Sequence, residues 1–216
     1  MVVNNFEAIK NILKFDGKSV YLVWLVMRNK DGNTQAKGNN RNRTIKSYYF
    51  LTKEQLEMRQ EEIIKLCDLF NCRAYIGINK KPMNKVLFQL QNTLTDYMQQ
   101  YFGGNEFIPN IHALVDSSVM KCGTEGRRMW IVDIDTKDRA QIESIVRIIN
   151  SCRSAFDCNV INELQTAHGV HLITHPFEIP QYEKLINENT DIREFPEIKK
   201  EGLTLLYANL VEKNGQ

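Results

Sequence analysis

Apolar positions recur with two different periods along the chain, and the switches between them outline its elements. Phe6, Ile9, Ile12 and Leu13 lie at helical spacing and predict a short amphipathic helix near the start. The run SVYLVWLVM (19–27) is almost continuously apolar and β-rich, and TIKSYYF (44–50) alternates, so both read as strands. Thr52 with Gln55 three residues on forms a capping-box pattern, opening a helix whose stripe includes Leu56, Ile63, Leu66, Cys67 and Phe70. CRAYIGIN (72–79) reads as a strand. A second helix follows, with Pro82 tolerated at its start and Gly103 and Gly104 stopping it.

NEFIPN (105–110) is the one plausible internal linker, and IHALVDSSVMKC is ambiguous, readable as a short helix. Beyond it, RRMWIVDIDTKD (127–138) is a strand that ends in charge. DRAQIESIVRIINSC follows as a helix, with Ile142, Ile145, Val146 and Ile149 on one stripe. NVINELQT and VHLIT flank AHG as a short hairpin. Pro176 and Pro180 precede a helix at QYEKLINENT, and IREFPEI and LTLLYANL close the chain as strands. The expectation is an α+β fold. An N-terminal α/β unit over residues 1–105 is followed by a β-α-β-β-α-β-β unit over residues 106–216, the two forming one integrated domain.

Composition narrows the class. The 216 residues are 43% hydrophobic and 25% charged, an ordinary globular balance with enough apolar material for a sizeable core. No run approaches the roughly 20 apolar residues of a membrane span, and the first residues lack a signal-peptide profile, so no membrane partner is expected. The five cysteines form no regular framework: neither Cys67/Cys72 nor Cys152/Cys158 has C-x2-C spacing. They read as buried thiols in a reducing cytoplasm. A net charge of +2 does not announce a nucleic-acid binder, so any basic surface must be local. One local candidate is the Gly- and Asn-rich stretch between the first two strands. From residue 28 to 46 it carries Arg28, Lys30, Lys37, Arg41, Arg43 and Lys46 against Asp31 alone, which suits contact with a phosphate backbone.

Asp133 and Asp135 are the costly feature. Strand alternation points both to one face and sends Trp130, Val132 and Ile134 to the other, toward the following helix. Two like charges side by side are tolerated when solvent screens them, when one is protonated, or when a cation sits between them. Mg2+ and Mn2+ take oxygen ligands and stabilise phosphoryl transfer, which makes D-x-D a natural metal platform. The plainer reading is a strand leaving the core, followed by a helix N-terminus where carboxylates are favoured. A phosphatase-type D-x-D-x-T is excluded, because Lys137 holds the place of the threonine.

Three histidines cluster in TAHGVHLITHPF. His171 shares a strand face with Gly169 and Ile173, and Gly169 leaves room beside it for a ligand. On an open face near the acids, His171 suits phosphate binding or proton transfer. His168, His171 and His175 do not share one face, so a three-histidine zinc site is not supported.

Taken in order, WIVDID, a helix, a hairpin and GVH (169–171) resemble the archaeo-eukaryotic primase superfamily, the catalytic core of primases and primase-polymerases. Its motifs are a strand with D-x-D, then small-x-His, then a later acid after a hydrophobic residue. The resemblance implies an α/β unit packed on an RRM-like antiparallel catalytic unit, and a free-standing replication core of the kind that phages and mobile elements carry. It implies that Asp133 and Asp135 hold Mg2+ or Mn2+, with Glu197 or Asp191 as the third acid, and that His171 contacts the triphosphate of an incoming NTP or dNTP. The reaction would be attack of a 3′-hydroxyl on an α-phosphate over a single-stranded template or primer-template, releasing pyrophosphate. Glu197 follows Pro196 where the family has an aliphatic residue. Lys80, Lys81 and Lys85, ahead of or within a helix N-terminus, are candidates to meet phosphate, with Arg73 a further option. Arg127 and Arg128, at the far end of the acid strand, read as template or surface residues. The alternatives are a metal-dependent nuclease built on the same acids, or a catalytically degenerate nucleic-acid-binding module.

Overall fold

Two sheets arise because the apolar runs are long enough to be buried on both faces: the first two helices share the core between the sheets, and the later ones cover the faces turned away from it. The computed structural model describes residues 1–28, 42–103, 111–124 and 126–209. The elements run β1 (Val2–Asn4), α1 (Phe6–Ile12), β2 (Ser19–Arg28), β3 (Asn42–Phe50), α2 (Lys53–Phe70), β4 (Arg73–Gly77), β5 (Lys81–Pro82), α3 (Met83–Phe102) and α4 (Ile111–Lys121). They continue with β6 (Trp130–Ile134), α5 (Arg139–Ser151), β7 (Val160–Gln165), β8 (Val170–Thr174), α6 (Ile179–Glu188), β9 (Glu197–Lys199) and β10 (Leu203–Asn209). The class is α+β, with six helices among the described residues and two antiparallel sheets.

The first sheet has the order β1-β10-β4-β2-β3, with β5 pairing β2 off that path. Strand β2 alternates between two cores. Tyr21, Val23, Leu25 and Met27 join α1, α2 and the inner face of the second sheet, while Val20 and Leu22 meet Val86 of α3 and Val119 of α4. The second sheet has the order β7-β8-β6-β9, all neighbours antiparallel. Its outer face carries Val132, Ile134, Val170 and Leu172, covered by Ile142, Ile145 and Ile149 of α5 and by Tyr182 and Ile186 of α6. Its inner face sends Ile131, Leu164 and Ile173 into the core shared with the first sheet. The expected division of β6 between Val132 and Ile134 on one face and Asp133 on the other is therefore what forms.

Several boundaries differ from the sequence reading. The ambiguous segment at 111 is helix α4. Helix α6 starts at Ile179, so Pro180 lies in its first turn, where the missing N–H costs nothing. The capping box at Thr52 forms as expected. Of the proposed IREFPEI strand only Glu197 and Ile198 pair, and the strand runs on to Lys199; Pro196, just before it, has no N–H to donate. The linker assigned to NEFIPN lies outside the described residues. The last strand, β10, crosses back to sit between β1 and β4, so the chain's second half completes the first sheet.

Buried side-chain amides join the two sheets. Asn5 donates to Leu205 O at 2.8 Å in the first sheet and to Gln165 O at 2.9 Å in the second. Asn79 brackets Met129, donating to its carbonyl at 2.8 Å and accepting from its N–H at 2.7 Å, and so fixes the start of β6. Loss of one such amide leaves buried carbonyls without a donor. Asn5→Ala is expected to lower unfolding stability by roughly 1–3 kcal/mol, the scale for orphaning a buried polar group. Urea unfolding checks this, and an unchanged midpoint contradicts the role assigned to Asn5.

Candidate functional site

Strand β6, one of the two inner strands of the second sheet, brings three sequence-distant residues into one row. Asp133 of β6 lies directly across from His171 of β8 on one side and Glu197 of β9 on the other. Residues opposite each other in an antiparallel pair share a face, so all three belong to the face turned toward the first sheet. Asp133 Oδ1 lies 3.0 Å from His171 Nε2, and its Oδ2 accepts from Lys199 Nζ at 2.5 Å. Lys199 Nζ also lies 3.3 Å from Glu197 Oε2. The other ring nitrogen of His171, Nδ1, lies 2.9 Å from Thr204 Oγ1, a fully buried hydroxyl on β10. The chain Lys199–Asp133–His171–Thr204 thus spans both sheets.

The electrostatics explain why this half-buried acid is tolerated. Burial alone pushes the Asp133 carboxyl up, but hydrogen bonds from His171 and Lys199 and their charges overcome it and hold the group at about 2. For Lys199, burial pulls the ammonium down, and Asp133 with Glu197 more than reverses that, raising it above the ordinary lysine range. An ionised Asp133 only accepts, so Nε2 of His171 carries a proton. Nδ1 is met by the Thr204 hydroxyl, which can donate or accept.

Asp135 lies one residue past the end of β6 and is exposed. The third acid of the segment, Asp138, serves the following helix instead: it caps α5, accepting from Ala140 N at 3.0 Å. Asp133 and Asp135 border two cavities. One, about 300 Å³, is also lined by Glu197, Glu194, Gln141 and Arg193, so three sequence-predicted acids share it. The other, about 410 Å³, lies between the sheets, with Asp133, Asp135 and His171 facing Arg28, Arg73 and Tyr75, and with Lys199 and His168 at its wall. Arg28 donates to Tyr75 Oη at 3.3 Å, and Arg73 is buried.

Gly169 corrects an expectation. The space beside it does not stand open to a ligand. A Cβ there would overlap the carbonyl oxygen of Ile134 and lie 2.8 Å from Thr136 N. The small residue ahead of His171 therefore lets the backbone of the D-x-D strand pass.

The other expected residues are dispersed. Lys80 pairs with Asp16 at 2.5 Å, and Lys81 with Glu201 at 2.5 Å and Thr124 at 3.1 Å; neither lines the two acid-bordered cavities. Lys85 is exposed on α3. Asp191 sits in the turn after α6, its N–H bonded to Asn189, and also lines neither cavity. Of the basic stretch, Arg28 joins the intersheet cavity, while Arg43 and Lys46 lie on β3, with Lys46 paired to Glu62 at 2.6 Å. Lys30, Lys37 and Arg41 lie outside the described residues. Lys199 and Thr204 were not anticipated. Lys199 follows from period two once Glu197 is placed, and Thr204 is the one threonine in an otherwise apolar stretch of strand.

Among the described residues no three carboxylate, imidazole or thiolate side chains are gathered as a ready ligand set; the ammonium of Lys199 lies between two of the candidate acids. No family model, no curated protein and no solved structure matches this chain.

A depressed carboxylate stabilises the folded state above its unfolded value of about 3.8, and that stabilisation is lost as pH falls toward about 2. The stability difference between the native chain and Asp133→Asn should therefore shrink across that window. Urea midpoints measured at intervals between those two pH values check it, and a constant difference would contradict the assignment.

Proposed function

We propose that this protein is a metal-dependent nucleotidyltransferase acting on nucleic acid, of the primase-polymerase kind. The observation that carries the reading is the cross-strand row of His171, Asp133 and Glu197, which gathers the acid motif, the small-x-His motif and a later acid at one place. The β6-α5-β7-β8-α6-β9 connectivity with order β7-β8-β6-β9 supports an RRM-like reading of the second unit.

The acids suit a hard divalent cation in donor chemistry, and Asp133 and Glu197 already converge on one positive centre, the Lys199 ammonium. Asp133, Asp135 and Glu197 would hold Mg2+ or Mn2+. Such an ion, when bound, neutralises charge developing on the phosphoryl oxygens. The chain's own residues supply the rest. Arg28 and Arg73 face the acids across the intersheet cavity and suit the phosphates of an NTP or dNTP, a role that Lys80 and Lys81 are not placed to fill. His171 keeps Asp133 ionised and oriented, and reaches a phosphate only by releasing one of its two partners. A 3′-hydroxyl attacking the α-phosphate would release pyrophosphate.

One observation favours a second reading, a non-catalytic nucleic-acid-binding module: Lys199 already neutralises Asp133 without a metal. Incorporation assays decide. With Mn2+ or Mg2+, a labelled NTP or dNTP and single-stranded or primer-template substrates, the native chain is expected to extend product. Asp133→Asn and Asp135→Asn should each abolish extension while circular dichroism stays native. Undiminished extension by the double variant overturns the reading. Trimming of labelled strands without added nucleotide would instead assign a nuclease to the same acids.

A further inference from the structure

We propose that a second cavity, away from the acids, binds a nucleotide through a stacked aromatic platform and a pair of cations. The cavity measures about 630 Å³ and is formed where α1, the segment after β4, the lead-in to β6, β7 with the segment before it, and the segment after β8 meet. That volume lies within the range of small-molecule sites. None of the candidate acids lines it, and among its described lining residues there is no carboxylate.

Its wall contains a built stack. Phe156 and His175 lie parallel, ring centroids 3.6 Å apart at 8°. That contact fills one face of Phe156, so the Arg127 guanidinium, 4.9 Å from the ring centre, takes the other. Phe156 is held in place by Ser154, whose hydroxyl accepts from its N–H at 2.9 Å and donates to its carbonyl at 3.0 Å. A planar guanidinium backed by an aromatic ring is a surface on which a base stacks.

Charge completes the site. Lys14 and Arg127 line the cavity, and neither has a carboxylate ion pair among the described residues, whereas Lys80 on the same wall is neutralised by Asp16. His175 lines the cavity with its stacked ring, and its Nδ1 is buried without a hydrogen-bond partner. Lys14, Arg127 and His175 line one cavity, and burial, then the charges of Arg127 and Lys14, push His175 below its ordinary value. A ligand with a flat ring and an anionic group answers the stack and the cations together. A base with its phosphate is that ligand, as a free nucleotide or as the end of a strand.

Calorimetric titration in EDTA, which silences any divalent site, tests this with AMP as the probe. The native chain and the Asp133→Asn/Asp135→Asn variant should bind AMP alike. Lys14→Ala/Arg127→Ala, both at exposed positions, should weaken binding at least about tenfold with an unchanged melting temperature, the scale of about 1.4 kcal/mol. Arg127→Lys, which keeps the charge but loses the plane, should fall between them. Adenosine and inorganic phosphate should each bind more weakly than AMP. Displacement of AMP by a 5′-phosphorylated oligoadenylate would mark a strand end as the source, and no displacement would mark the free nucleotide. Absence of AMP binding to the native chain, full binding by the Lys14/Arg127 variant, loss in the aspartate variant, or equal binding of phosphate alone would each overturn the proposal.

Discussion

The carboxylate of Asp133 is the constraint around which the rest is arranged. It sits on an inner strand of the second sheet, half-buried, where an isolated charge would be costly. Two donors resolve the cost: an imidazole from the neighbouring strand on one side and an ammonium from the edge strand on the other. The imidazole is in turn fixed by a hydroxyl from the other sheet. Removing any one of these leaves the others partly unpaired, because a buried polar network is stable only when every member is satisfied. The geometry of the sheets and the state of the acid are therefore one problem.

Much of this was legible from alternation alone. Period two put Asp133 opposite in sense to Val132 and Ile134, and the core follows that division. Helical spacing at Ile142, Ile145 and Ile149 correctly marked the face of α5 that covers the sheet. What the pattern could not carry was partnership. Lys80 and Lys81 looked apt for phosphate from their place before a helix, yet long flexible side chains find the nearest carboxylate, and theirs are Asp16 and Glu201. Arg28 read as the start of a basic loop and Arg73 as a secondary option for phosphate. Their shared cavity exists only because β10 returns to close the first sheet beside β4, a long-range pairing no local pattern announces. Gly169 was legible as important but for a different reason, since the nearest neighbour it must admit is the chain's own backbone.

The molecule separates two kinds of concave surface. Around Asp133 the walls are charged with both signs, suited to a polyanion and its counter-cation. In the larger cavity the walls are aromatic, aliphatic and cationic, suited to a base with a phosphate. Strand β6 connects them: Met129, just ahead of its first residue, lines the one, and Asp133 near its end lines the other two. Helices α5 and α6 pack against that strand from behind.

Lys199 is the most informative residue for the central claim that the acid row holds a divalent cation. Its ammonium now stands between Asp133 and Glu197, where that cation's charge would be needed. Two positive charges cannot share the place, so binding must displace it. Titration of Mn2+ followed by electron paramagnetic resonance measures this directly. Lys199→Met should bind Mn2+ more tightly than the native chain does, and Asp133→Asn/Asp135→Asn should bind none. Equal or weaker binding by Lys199→Met, or binding that survives loss of both aspartates, would contradict the claim.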